Sequence, residues 1–120
     1  ITRIAENIAE AAGTTAQVTI TKGYPVTSNE RELTARMLPT LERVAPGKVK
    51  ESELITGAED FTYFQRQAPG MFFFLGITPA AQVGKAPQNH SPLFVVDEAA
   101  LPTGVRALAH LTVDYMTGRK

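Results

Sequence analysis

The sequence predicts an α/β fold, and three observations carry that expectation. Helix-period and strand-period apolar patterns alternate along the chain. An uninterrupted apolar run, Met71 to Leu75, stands between Gly70 and Gly76 in the manner of a strand covered on both faces. A long amphipathic pattern after Asp97 closes the chain as a helix.

At 120 residues the chain has the size of one domain, long enough to bury roughly two-thirds of its unfolded surface. The 43% apolar content excludes a disordered or fibrous chain. Met71 to Leu75 is the greasiest stretch, far short of the roughly eighteen apolar residues of a membrane helix, so a soluble protein without a membrane partner is expected. Twelve basic and twelve acidic residues are scattered rather than clustered, which leaves no nucleic-acid footprint. Having no cysteine excludes disulfides, thiolate zinc sites and a cysteine nucleophile. It fits either redox compartment; the location expected is cytoplasmic. The chain opens on Ile1 with no signal-peptide pattern behind it and reads as a cut.

Ile1, Ile4, Ala5, Ile8 and Ala12 recur at helical spacing, and Gly13 supplies a left-handed stop. From Thr15 to Thr21 the pattern becomes alternation, with Ala16, Val18 and Ile20 on one face, which predicts a half-exposed strand. One helix and one strand enclose no core, so this opening must pack on something else. Gly23 to Val26 break the chain. Thr27 and Glu30 then stand in capping-box spacing before a helix of about sixteen residues carrying Leu33, Met37, Leu38, Leu41 and Val44. Pro39 predicts a kink or two abutting helices, and Pro46-Gly47 ends the element.

A short strand is expected around Val49, then a short helix from Glu59 with its carboxylates at the positive end. Six of the nine aromatic residues lie between Phe61 and Phe74, the composition of a packing hub. Ile77 to Asn89 is a loop long enough for function. Asp97 should cap the final helix, with Leu101, Val105, Leu108, Ala109, Thr112 and Met116 on its apolar face and Arg106, His110 and Asp114 elsewhere. Pro102 should cost that helix one backbone bond, and Gly104 predicts close approach of a neighbour.

Residues able to carry chemistry are few. His110 reads as a solvated helical residue. His90 follows the long loop and precedes Ser91-Pro92, which biases the backbone away from helix and lets an imidazole project. One histidine leaves open whether it is a surface residue or a ligand, since a metal site needs three or four donors. Glu59 and Asp60 are adjacent and diverge on a helix, so they do not form a facing acid/base pair. No phosphate-binding glycine pattern is present, and Ser91 lacks a nucleophile elbow.

Four strings in order now matter together: Gly57-Ala58-Glu59-Asp60-Phe61; Ala68-Pro69-Gly70 with Phe72 to Gly76; His90-Ser91-Pro92 with Phe94; and Asp97-Glu98 with Leu101 and Gly104. The set resembles the C-terminal stretch of metal-dependent amidohydrolases of the aminoacylase and carboxypeptidase type, in particular the hippurate-hydrolase-like branch. Tyr24-Pro25 and Asn29 resemble the point where such a chain returns from its lid to its catalytic domain.

The resemblance implies the C-terminal part of a zinc-exopeptidase-like catalytic domain with a mixed sheet, residues 23–120, preceded by the last helix and strand of an α+β lid or dimerisation domain, residues 1–22. It implies two divalent metal ions, usually zinc, with manganese, cobalt or nickel compatible. His90 would be the last metal-binding histidine, and Glu59 would support the site without ligating. In such enzymes a metal-bridging water, activated by a glutamate, attacks the amide of an N-acyl amino acid or a C-terminal peptide bond. The partners implied are that substrate, the missing N-terminal part of the enzyme and a second copy through the lid. The other ligands and the base fall outside these 120 residues, so the piece alone should be inactive. The competing expectation is a stand-alone, non-catalytic α/β interaction module.

Overall fold

A computed structural model describes residues 1–119. Four α-helices follow one another: α1 (Thr2–Ala11), α2 (Arg31–Val44), α3 (Phe61–Gln65) and α4 (Leu101–Thr117). Single 3₁₀ turns lie at Ala80–Gln82 and Glu98–Ala100. The expected α/β class is therefore corrected: the described residues are helical or irregular, and no strand or mixed sheet occurs among them. The strands expected at 15–21, around Val49 and at 71–75 are absent for one physical reason. A strand persists only when a neighbour completes its hydrogen-bond ladder. Residues 15–21 make no backbone hydrogen bond to another described segment, and 71–75 meets a side chain where a strand would be needed. The strand of the lid-like opening, and the mixed sheet behind it, are lost together.

The four helices follow their sequence signals more closely. α1 stops at Gly13, whose φ of +67° is the left-handed conformation expected there. It touches no other helix, and Ile1, Ile4 and Ile8 are 87%, 61% and 65% exposed. α2 runs unbroken through Pro39 instead of dividing there. Its cap is Glu30, not Thr27: the Glu30 carboxylate accepts from the backbone N–H of Glu32 at 2.9 Å and of Leu33 at 2.6 Å. Those two bonds, Leu33 first, hold the Glu30 carboxyl below its ordinary range. Asp97 caps the 3₁₀ turn before α4 by accepting from Ala99 N–H at 3.0 Å. Pro102 falls in the first turn of α4, where its missing N–H would have had no intrahelical partner, so the expected loss of a bond does not arise.

The helical core is the crossing of α2 and α4. Met37 and Ala107 are its buried apolar residues, with Thr40 and Asp114 buried beside them. The inward face of α4 thus runs through Thr103, Ala107, Leu111 and Asp114. The face expected from apolar spacing turns outward instead, with Leu101, Val105, Leu108 and Met116 all exposed. Asp114 compensates its burial with three partners. The Thr40 hydroxyl donates to it at 2.8 Å, Arg43 forms a direct ion pair with it, and Arg119 approaches within 3.9 Å. Thr40 contributes most to holding the Asp114 carboxyl below its ordinary range, against the opposing effect of burial, and the two arginines add to it. Arg36 closes the crossing from the other side, lying 4.8 Å above the Tyr115 ring and donating to the Tyr115 carbonyl at 2.7 Å.

The remainder is open. The radius of gyration is 20.5 Å and the extents are 64 × 37 × 20 Å, whereas a compact chain of this length has a radius near 14 Å. None of the described helices is long and apolar enough to cross a membrane.

Candidate functional site

The candidate residues Glu59 and His90 lie on irregular stretches, before α3 and before α4. Glu59 is half-buried just before α3, and its carbonyl accepts from Thr62 N–H at 3.2 Å. The five residues of α3 are too few to be stable alone, so this segment depends on contacts from elsewhere. Ser28, Asn29 and Glu30, at the entry to α2, supply them. The Asn29 side chain brackets Phe72, accepting from its N–H at 2.7 Å and donating to its carbonyl at 2.8 Å. Glu30 N–H donates to the Gly70 carbonyl at 2.9 Å. Gln65 donates from Nε2 to the Ser28 carbonyl at 3.0 Å and lies 3.3 Å from the Gly70 carbonyl.

The aromatic hub expected between Phe61 and Phe74 forms around this anchor. Phe72 stacks between Phe61 at 5.6 Å and Phe74 at 5.3 Å, while Tyr63 meets Tyr24 edge-on at 5.6 Å. The hub is half-covered rather than buried, with Phe64 and Phe74 at 69% and 59% exposure. Gly70 is required here, because a β-carbon would stand 2.7 Å from Gln65 Cγ and 3.2 Å from the Phe61 ring. Gly104 admits Leu75 in the same way, with Leu75 Cδ2 only 2.8 Å from the place of a β-carbon. The close approach expected at Gly104 is thus present.

Two clefts of about 340 Å³ flank the hub. One lies between Tyr24–Thr27 and Ile55–Ala58, and Ala58 directly precedes Glu59 in sequence. The other is apolar, between Phe61, Met71–Phe73 and Leu75 on one side and Gly104 and Leu108 on the other.

His90 lines neither cleft. It is exposed on the loop before α4, and it is the one non-glycine among the described residues with a positive φ, +73°. A β-carbon is disfavoured in that region, so the position keeps an imidazole where glycine would be easier. The neighbouring Ser91 hydroxyl is occupied in accepting from Leu93 N–H at 3.2 Å. His110 is exposed on α4.

Among the described residues no group of three or more His, Cys, Asp or Glu side chains is placed to surround a metal ion. One exposed imidazole is too small a donor set for a divalent cation. The described residues therefore do not fit a two-metal centre by themselves.

Two polar features escaped the sequence pattern: Asp114 as the buried centre of the α2–α4 crossing, and Asn29 as the bracket on Phe72. A signal existed for the first, since Thr40 and Arg43 stand three apart on one face of α2 and present a hydroxyl and a cation to one partner.

The helices cross through a polar centre, and His90 lies exposed on the loop before α4. The chain belongs to the peptidase family M20/M25/M40, which matches residues 3–114 and is metal-dependent. It is 39% identical over 114 residues to thermostable carboxypeptidase 2 of Saccharolobus solfataricus, covering 94% of this chain and 28% of that protein. It is 28% identical to the amidohydrolase YhaA of Bacillus subtilis, over 96% of this chain and 29% of that protein. It is 27% identical to the IAA-amino acid hydrolase ILR1-like 6 of Arabidopsis thaliana, over 79% and 20%. The chain thus spans less than a third of the length of these relatives. No solved structure matches it.

Proposed function

We propose that these residues work as the C-terminal portion, residues 23–120, of the catalytic domain of a metal-dependent amidohydrolase, with residues 1–22 belonging to its lid or dimerisation domain. The enzyme hydrolyses the amide bond of N-acyl amino acids or C-terminal peptide bonds. The observation that carries the reading is the 39% identity to a carboxypeptidase across 94% of the chain. The names of the relatives, a carboxypeptidase and an amino-acid conjugate hydrolase, support the substrate class.

In this reading His90 contributes one donor to a centre of two divalent ions, zinc as the usual occupant, and the remaining donors come from residues beyond this chain. The left-handed backbone at His90 supports a role for its side chain. Glu59, half-buried directly after the cleft residue Ala58 in sequence, supports the site without ligating. The chain alone is inactive, and the enzyme pairs as a homodimer through the lid.

A chimera tests this. The segment of thermostable carboxypeptidase 2 that aligns with this chain is replaced by it, and zinc content and carboxypeptidase activity are measured with His90 and with His90→Ala. The reading expects a metal-loaded, active chimera and parallel loss of both properties in His90→Ala. Unchanged zinc content in His90→Ala would remove His90 from the ligand set. An inactive, metal-free chimera that still folds would overturn the enzymatic reading.

A further inference from the structure

We propose that Asn29 and Gln65 are positioning residues that fix the place of Glu59, an inference whose functional side rests on the reading above. Both ends of α3 are tied to the same tripeptide. At its far end Gln65 donates to the Ser28 carbonyl at 3.0 Å. At its near end Phe61, two residues after Glu59, packs on the Phe72 ring at 5.6 Å, and the Phe72 backbone is held through both its N–H and its carbonyl by Asn29.

A residue whose N–H and carbonyl both reach one amide has them on the same side, the arrangement of extended backbone, and the Asn29 amide takes the place of a neighbouring strand residue. Asparagine suits this because its side chain offers one acceptor and two donors in a plane. Aspartate keeps the acceptor but has no donor for the Phe72 carbonyl. Ser28 and Asn29 directly precede the Glu30 cap of α2, so the segment that begins at Glu59 is referenced to the α2–α4 crossing through two side chains. A short helix without its own stability needs such a reference, because a displacement on the order of 1 Å in a reacting group costs about a hundredfold in rate.

The first experiment reads amide hydrogen exchange in the 120-residue chain, comparing the parent with Asn29→Ala and Gln65→Ala. Both substitutions are expected to speed exchange at residues 62–68 by about tenfold or more while leaving residues 105–117 of α4 unchanged. Unaltered exchange at 62–68 in both variants, or equal acceleration in α4, overturns the positioning claim. Gln65→Ala keeps the claim testable should Asn29→Ala fail to fold.

The second experiment places Asn29→Ala and Asn29→Asp in the chimera. Both are expected to lower kcat by about tenfold or more with KM and zinc content preserved. An unchanged kcat overturns the functional side of the inference, as does a fall in zinc content that accounts for the loss. Should the parent chimera be inactive, the proposed function fails by that result, while the exchange experiment still decides whether Asn29 and Gln65 hold the segment.

Discussion

The Thr40 hydroxyl donates to the Asp114 carboxylate at 2.8 Å across 74 positions of sequence, joining α2 to α4 through two side chains that are each 1% exposed. Arg43 completes the pair from a half-exposed position. Truncating a partner of a buried acceptor leaves that acceptor unpaired. Thr40→Val keeps the shape, removes the donor and is expected to destabilise the chain by about 1–3 kcal/mol. Urea unfolding followed by circular dichroism measures it, and a midpoint equal to the parent's would show that the hydroxyl contributes nothing.

The same crossing should be acid-sensitive. The folded carboxyls of Asp114 and Glu30 both lie below their ordinary values of 3.8 and 4.5. A carboxyl depressed in the folded state contributes stability that is fully present above its unfolded value and is lost as pH falls through the folded one. Stability should therefore be level above about pH 5 and decline below pH 4. Asp114→Asn should flatten that decline while lowering stability at neutral pH. Thermal midpoints across pH 2–7 decide it, and parallel curves for parent and variant would remove Asp114 from the acid response.

Thr62 offers a change of opposite sign. Its side chain is buried at 1% exposure, and its hydroxyl oxygen has no hydrogen-bond partner in the structure. Replacing an unsatisfied buried hydroxyl by a methyl of the same shape removes a desolvation cost. Thr62→Val is expected to stabilise the chain by about 1 kcal/mol. A lower unfolding midpoint for this variant would show that the hydroxyl is in fact paired in solution.

His90→Gly separates backbone from side chain. Glycine adopts a φ of +73° without steric cost, and the residue is exposed. The variant should keep chain stability within about 0.5 kcal/mol of the parent while abolishing zinc retention in the chimera. A large loss of stability would assign His90 a structural role instead.

α1 should behave as an independent appendage. It touches no other helix and its ten residues fall below the length at which an isolated helix persists. Deleting residues 1–13 should leave the unfolding midpoint of the remainder within experimental scatter and remove only helical signal. A fall in the midpoint would reveal a contact between α1 and the α2–α4 crossing.

How far the sequence reaches depends on whether an element closes its hydrogen bonds within itself. α1, α2 and α4 do so: their spacing predicted that they exist, Gly13 marked the end of α1 and Asp97 the turn leading into α4, while α2 is capped by Glu30 instead of Thr27. The run Met71 to Leu75 cannot, and its apolar character alone did not reveal that its backbone is met by the Asn29 amide. Periodicity also misassigned the packed face of α4, because it weighed Leu108 and Met116 by hydrophobicity, whereas the small Ala107 allows close approach of α2 and Asp114 is matched by Thr40 and Arg43. At the candidate site, His90 and Glu59 are assigned by the resemblance alone, and the structure shows the first exposed and the second half-buried. The tie between Ser28–Glu30 and the 65–72 segment was not legible, since it joins positions some forty residues apart through side-chain amides that carry no periodic signature.

The 20.5 Å radius of gyration has a practical outcome for anyone weighing this protein in solution. A compact protein with that radius of gyration would contain roughly 350 residues, so on a gel-filtration column a single 13.0 kDa chain of this elongated outline runs ahead of its true mass. Elution position alone will therefore miscount its copies, and stoichiometry must come from scattering intensity or sedimentation equilibrium, which do not depend on outline.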